Sequence, residues 1–218
     1  MFTSVASMLR RAEEENKPLW EVILADDLAD RGVKRESSLE KMEGLWRAMK
    51  EAEADYDPAR RSASGLVGGE GAVMDRSQVG LCGPFLREVM ATALKMGECN
   101  ACMRRIVAAP TAGACGVLPA VLLPMQRRYG FSDEQMAQAL YVSAGFGQVI
   151  AARASISGAE GGCQAEVGSA SGMAAAAITH LMGGTAVQMA HACAMALSNI
   201  LGLVCDPVAG LVEVPCVK

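Results

Sequence analysis

The sequence predicts an all-α fold with central helices rich in small residues. Three observations predict it. First, 51% of the 218 residues are apolar but only 4% are aromatic, so the core must come from Ala, Val, Leu, Met and Gly. A β-sandwich or barrel would need alternating Val, Ile, Thr and aromatic residues. Second, long segments place apolar residues at helical spacing behind recognisable caps. Third, no Asp, Glu, Lys or Arg occurs between Val167 and Cys205, a run of small residues that fits buried helices. The length suits one domain, residues 1–218, with a charged helical part (1–61) and a second part (62–218).

The elements follow in order. Residues 1–61 carry 25 of the 44 charged residues, which predicts a solvated helical layer. Pro18 suits the start of a helix running to about Arg31. Ser37 and Glu40 fit a capping box, and Leu39, Met42, Leu45, Trp46 and Met49 then share one face. Residues 57–84, with six glycines and two prolines, read as a long loop of the kind that carries function. Helices are expected over 85–107, 117–129 and 132–152, with Pro119 in a first turn and Ser132–Gln135 as a capping box. The last two long helices are expected over 163–182 and 186–203, with Thr185–Gln188 capping the second. Gly168, Gly172 and Ala176 recur at spacing four, which lets a neighbouring helix approach closely. Asp206 and Pro207 look like the cap and first residue of a further turn.

Composition excludes several classes. A net charge of −4 and a pI near 5.3 leave no basic surface for a phosphate backbone, so no nucleic acid is expected. The N-terminus is charged within ten residues and reads as no signal peptide, so the eight cysteines are expected as free thiols in the cytoplasm. A membrane hairpin is the alternative reading of the charge-free run. Its residues are too small and too polar, with Gln164, Ser169, Gln188 and Asn199, and it lacks flanking basic anchors. No Walker loop, Ser-His-Asp arrangement or strand-led dinucleotide fingerprint is visible. Of the six lysines only Lys95 lies outside the N-terminal region and the C-terminus, which weakens a pyridoxal reading.

Three cysteines point to chemistry. Cys163 follows a glycine-rich approach to a helix N-terminus, where a thiolate or an anionic cluster is stabilised. Cys205 ends the next helix in LGLVCDPVAG, and Cys216 follows Pro215 in VEVPCVK. A hairpin of two helices returns the chain to its start, so three sulfurs can meet at one end of the bundle; packing as small apolar residues is the competing reading. Cys99 and Cys102 form a CxxC that would serve as a redox pair or half a zinc site, but no second half is present, and packing is favoured. Cys82, Cys115 and Cys193 are expected to pack. His180 and His191 are expected as satisfied core residues, with support of a site as the alternative.

PTAGACGVLPA, SISGAEGGCQAEVGSASGMAAAA and LGLVCDPVAGLVEVPCVK, with the SGLVGGEGA loop, resemble the alpha chain of the iron–sulfur-dependent L-serine dehydratases. The resemblance covers the whole chain. It implies an all-α catalytic domain and a [4Fe–4S] cluster on Cys163, Cys205 and Cys216, with one iron open to L-serine. It implies dehydration of L-serine to pyruvate and ammonia, a beta chain as partner, and an oligomer. It places the base in a histidine motif of the beta region that is absent here, with His180 or His191 as a minor alternative. It suggests Ser62, Ser64 and Gly65, Asn100, and Thr111, Ala112 and Gly113 around the substrate. Alpha chains of this family continue past the third cysteine, and the chain is expected to lack that stretch. A non-catalytic iron–sulfur or redox-sensing module and a small helical membrane protein are the competing classes.

Overall fold

Local sequence signals set most of the helix boundaries. The computed structural model describes residues 1–78 and 81–217. Among them are α1 (Val5–Glu14), α2 (Leu19–Arg31), α3 (Arg35–Ala54), α4 (Glu70–Arg76) and α5 (Pro84–Ala101). Then come α6 (Val117–Tyr129), α7 (Asp133–Arg153), α8 (Gly158–Leu181), α9 (Ala186–Ser198) and α10 (Glu213–Val217). The only β feature among the described residues is an isolated bridge between Val208 and Leu211. The fold is all-α.

Both later capping boxes form: Ser132 with Gln135 opens α7, and Thr185 with Gln188 opens α9. Each satisfies two backbone N–H groups that the helix start leaves unpaired. The box expected at Ser37 does not form. α2 ends at Gly32 in a left-handed conformation, and α3 begins at once behind Lys34, so Ser37 lies inside its first turn. Ser38 instead shares a 2.7 Å hydrogen bond with the Tyr141 hydroxyl of α7. Four further expectations need correction. The 57–84 loop contains α4, whose N-terminus is stabilised from α5, as described below; residues 79 and 80 of that loop lie outside the described residues. α5 stops at Ala101, where Cys102 caps it and Met103 turns left-handed. α9 ends at Ser198, and the chain from Asn199 runs as turns, with Gly202 at φ +93°. Asp206 and Pro207 start no helix; the short α10 begins later.

Two apolar clusters share α7 and α8. One joins Met8, Val22, Ile23 and Leu24 to Val142, Phe146, Ala176 and Cys193. The other joins Trp46 and Met49 to Leu118, Leu122, Met136, Leu140 and Met173. α8 is buried along Gly168–Ala170, Gly172–Ala174 and Ala176–Ala177. Of the spaced small residues Gly172 matters most: a Cβ there would lie 3.0 Å from the Cys193 sulfur and 3.2 Å from Leu197. It lets α9 lie close on α8. The outer side of α9 does not match the buried helix the charge-free run predicts. Val187, His191 and Met195 face solvent, as do Leu201, Leu203 and Val204 beyond it. No helix among the described residues is long and apolar enough to cross a membrane.

Candidate active site

The site is built on an elbow in α8. Gly162 has φ +71° and ψ −171°, which breaks the helix one residue before Cys163. Only glycine adopts that conformation without strain. A Cβ at Gly162 would also stand 2.9 Å from the Leu203 carbonyl oxygen and 3.2 Å from the Cys205 nitrogen. The segment before Cys205 therefore lies directly on the elbow. It is held there at two points: the Gln164 N–H donates to the Leu203 carbonyl at 3.1 Å, and the Gly202 N–H donates to the Gln164 side chain at 2.8 Å. Cys163 and Cys205 are thus brought together by one glycine and one glutamine.

Cys216 arrives on α10, fastened at both ends. At its start, the Ser64 hydroxyl stands 3.0 and 2.9 Å from the two oxygens of the Glu213 carboxylate and donates to it. At its end, Val217 packs on Gly97 of α5, where an added Cβ would meet it at 3.3 Å. Ser64 belongs to a tight loop. Its Oγ accepts the Leu66 N–H at 3.1 Å and shares a 3.2 Å hydrogen bond with Ser62, whose own Oγ accepts the Val67 N–H. Gly65 turns this loop at φ +76°. Both hydroxyls expected to face substrate are therefore engaged within the protein.

A cavity of about 420 Å³ opens between α5, the start of α6, α8 and the C-terminal segment. Cys163 and Cys216 are in its wall, and Cys205 sits between the wall residues Val204 and Asp206. None of the wall residues among the described residues is basic. Burial pushes the Cys163 thiol up, and the charges of Cys205 and Glu166 push the same way. Burial also raises Cys216, again reinforced by Glu166, Cys163 and Cys205. The neighbouring sulfurs and Glu166 therefore disfavour ionisation of Cys163 and of Cys216. Among the described residues no group of three or more His, Cys, Asp or Glu side chains converges on the position of one metal ion.

The turn before α6 forms the adjoining wall. Asn100 donates from its amide to the Ala112 carbonyl at 3.0 Å, which fixes the turn to α5. The Thr111 hydroxyl donates to the Glu166 carboxylate and accepts the Ala114 N–H at 3.3 Å. Gly113 lines the cavity. Ala112 is exposed. Glu166 was missed in the sequence, although it is the last charge before 39 uncharged residues. Glu98 of α5 was missed too. Its buried carboxylate accepts the Tyr56 hydroxyl at 2.6 Å and the N–H groups of Gly69, Glu70 and Gly71 at 3.0, 2.7 and 3.0 Å. That satisfies the first turn of α4 and anchors the loop bearing Ser62 and Ser64.

The remaining candidates lie elsewhere. All eight cysteines are free. Cys99 and Cys102 are buried, and burial pushes Cys99 to about 11, so neither behaves as a reactive thiolate. Cys115 and Cys193 are raised by burial to about 12 and about 11. Cys82 is half-buried near α4. His180 is half-buried in the last turn of α8, and burial lowers its pKa; His191 is exposed on α9.

The sequence profile of the serine dehydratase alpha chain family matches residues 11–218. The chain belongs to this family. It is 42% identical over 221 residues to the probable L-serine dehydratase, alpha chain, of Bacillus subtilis, covering 100% of this chain and 74% of that protein. It is 51% identical over 136 residues to the L-serine dehydratase, alpha chain, of Peptoniphilus asaccharolyticus, covering 62% of this chain and 47% of that one. An L-serine dehydratase of Mycobacterium bovis is 45% identical over 134 residues, 60% of this chain and 29% of the relative. The chain thus spans from under a third to about three quarters of the length of these family members.

Proposed function

We propose that this chain is the catalytic alpha part of a cytoplasmic L-serine dehydratase, a lyase of serine catabolism. It would hold a [4Fe–4S] cluster on Cys163, Cys205 and Cys216 and work with a beta chain in an oligomer. The observation that carries the reading is the 420 Å³ cavity with Cys163 and Cys216 in its wall and Cys205 between two further wall residues, with no basic side chain among the described residues of that wall. A water needs about 10–15 Å³ of such space, so this cavity suits a multi-atom group. A cluster binds each thiolate on a different iron, so its ligands ring a cavity and need not meet at one point. Three neighbouring thiolates with no cationic side chain beside them among the described residues would be stabilised by the positive charge of iron.

When bound, the cluster would supply an open Lewis-acidic iron for the hydroxyl and carboxylate of L-serine. The chain's own residues do the rest of the placing. The Gly162 elbow and the Gln164 bonds hold the Cys205 segment against Cys163. Ser64 and Gly65 act through their loop, which holds Glu213 and so presents Cys216. Ser62 shapes that loop from within. Asn100 fixes the Thr111–Ala112–Gly113 turn, whose Gly113 lines the cavity and would lie beside the substrate carboxylate. A base from the beta chain takes the Cα proton as the β-hydroxyl leaves with the C–O bond electrons. The released 2-aminoacrylate tautomerises to the imine and hydrolyses to pyruvate and ammonia.

The test is iron and acid-labile sulfide per chain in protein purified without oxygen together with its beta chain. Wild type is expected to hold about four of each and to release pyruvate from L-serine, as a [4Fe–4S] enzyme must. Cys205→Ser is expected to lose both iron and turnover with unchanged helical circular dichroism. Iron-free wild type that still dehydrates serine would overturn the cluster, and iron-loaded wild type without serine turnover would overturn the activity.

A further inference from the structure

Resting on that serine-dehydrating reading, we propose that Glu166 receives the α-ammonium group of the substrate and so selects amino acids over hydroxy acids. Glu166 lies three residues after Cys163 on the same helix, next to the turn that borders the cavity. Its carboxylate is nested between two glycines. A Cβ on Gly113 would fall 2.6 Å from Oε1, and one on Gly158 would fall 2.5 Å from Oε2. Two segments of the chain thus lack side chains where this carboxylate sits.

The carboxylate has a hydrogen bond on one side only. Thr111 donates to Oε1, and among the described residues no Lys, Arg or His forms an ion pair with Glu166. Its negative charge reaches both Cys163 and Cys216. A half-buried carboxylate with no counter-ion among the described residues, beside a cavity whose described wall holds Asp206 and no basic residue, is an acceptor for a cation. L-serine brings one. Once its carboxylate and hydroxyl are held at the cluster, the ammonium is the group still without a partner. The expected discrimination is large, because a site that bonds an N–H group rejects the analogue without it. The competing role for Glu166 is a plain staple between the Thr111 turn and α8.

The experiment compares two ligands on the cluster-loaded complex with the beta chain. One is L-serine. The other is 3-hydroxypropanoate, which is L-serine without its amine. Glu166→Gln keeps the shape and an acceptor for Thr111 but removes the charge. The expected result is a rise of about ten- to a hundredfold in the KM for L-serine, the range of a charge-assisted hydrogen bond. Calorimetric affinity for 3-hydroxypropanoate is expected to stay at the wild-type value, with iron content unchanged and partial recovery of serine binding in Glu166→Asp. Equal weakening of both ligands, no change in either, or loss of iron from Glu166→Gln would each overturn the proposal and leave Glu166 as a staple. A failure of the underlying activity is seen separately, as wild-type complex with iron but no serine turnover.

Discussion

The charge-rich N-terminal layer and the charge-free C-terminal stretch reverse what charge alone predicts. Residues 1–61 hold most of the charge, yet Met8, Val22, Leu24 and Trp46 are fully buried there. Residues 182–212 are almost free of charge, yet Met195, Leu201 and Val204 are 62%, 74% and 71% exposed. The charged side chains of the first region bind one another on the outside: Arg11 with Glu15, Arg31 with Asp27, Arg35 with Glu21. Surface pairs of this kind add little stability and mainly leave the inner faces free to pack. The second region is positioned by the turn at Gly202 and by its contact with the Gly162 elbow of α8, and the side-chain clasp at Glu213 holds the chain just beyond it. The first region feeds both apolar clusters, whereas the second brings Cys205 to the candidate site.

The sharpest test of that division is Gly162→Ala. The expected outcome is near-complete loss of iron, because the new Cβ meets the Leu203 carbonyl and the Cys205 backbone and must push Cys205 away from Cys163. A positive φ adds strain for alanine. Thermal unfolding followed by circular dichroism is expected to shift little, since the displaced segment is largely exposed. Full iron occupancy in this variant would break the comparison.

The converse variant is Trp46→Ala. Trp46 is fully buried, and its indole N–H donates to Asp133 at 3.1 Å. Removing it is expected to lower the unfolding free energy by about 3–5 kcal/mol, the usual range for a buried aromatic. Denaturant titration measures this. Iron content at low temperature is expected to remain at the wild-type level. A variant that loses iron while keeping its stability would place the site's support in the N-terminal layer instead.

How much of this could be read in advance depended on the range of the interactions. Ser132–Gln135 and Thr185–Gln188 act within one turn, so their sequence pattern sufficed. Ser37 followed the same pattern and failed, because Gly32 let α3 start earlier and Ser38 was bound to Tyr141 from α7. The convergence of Cys163 and Cys205 was legible because a helical hairpin returns the chain to its start. The Ser64–Glu213 clasp was not, since its partners are 149 positions apart. Thr111 and Glu166 are 55 apart, and only the isolation of that one charge hinted at a role. The exposed side of α9 was misread because an absence of charge resembles burial when no partner surface is in view.

The smallest expected effect sharpens the comparison through pH. Where the charged layer meets α7, hydrogen bonds from Lys50 and then Gln126 hold the Asp133 carboxyl below its ordinary range, with Trp46 adding to them. A carboxyl depressed in the folded state contributes stability above its unfolded pKa. That contribution is lost as the pH falls from about 3.9 through the lower folded value. In the charge-free region, burial lowers His180. Here the unfolded chain binds the proton more readily, so stability begins to fall as the pH drops through about 6.5. The two regions should therefore weaken in separate windows. Denaturant midpoints of the full chain across pH are expected to show a first decline below neutrality that His180→Gln flattens. A second decline, in the acid range where Glu15 and Asp27 also titrate below their ordinary values, should be reduced by Asp133→Asn and left unchanged by His180→Gln. If His180→Gln left the first decline unchanged, the α8 terminus would be open to water in solution, and the boundary between the two regions would have to move inward from that end of the helix.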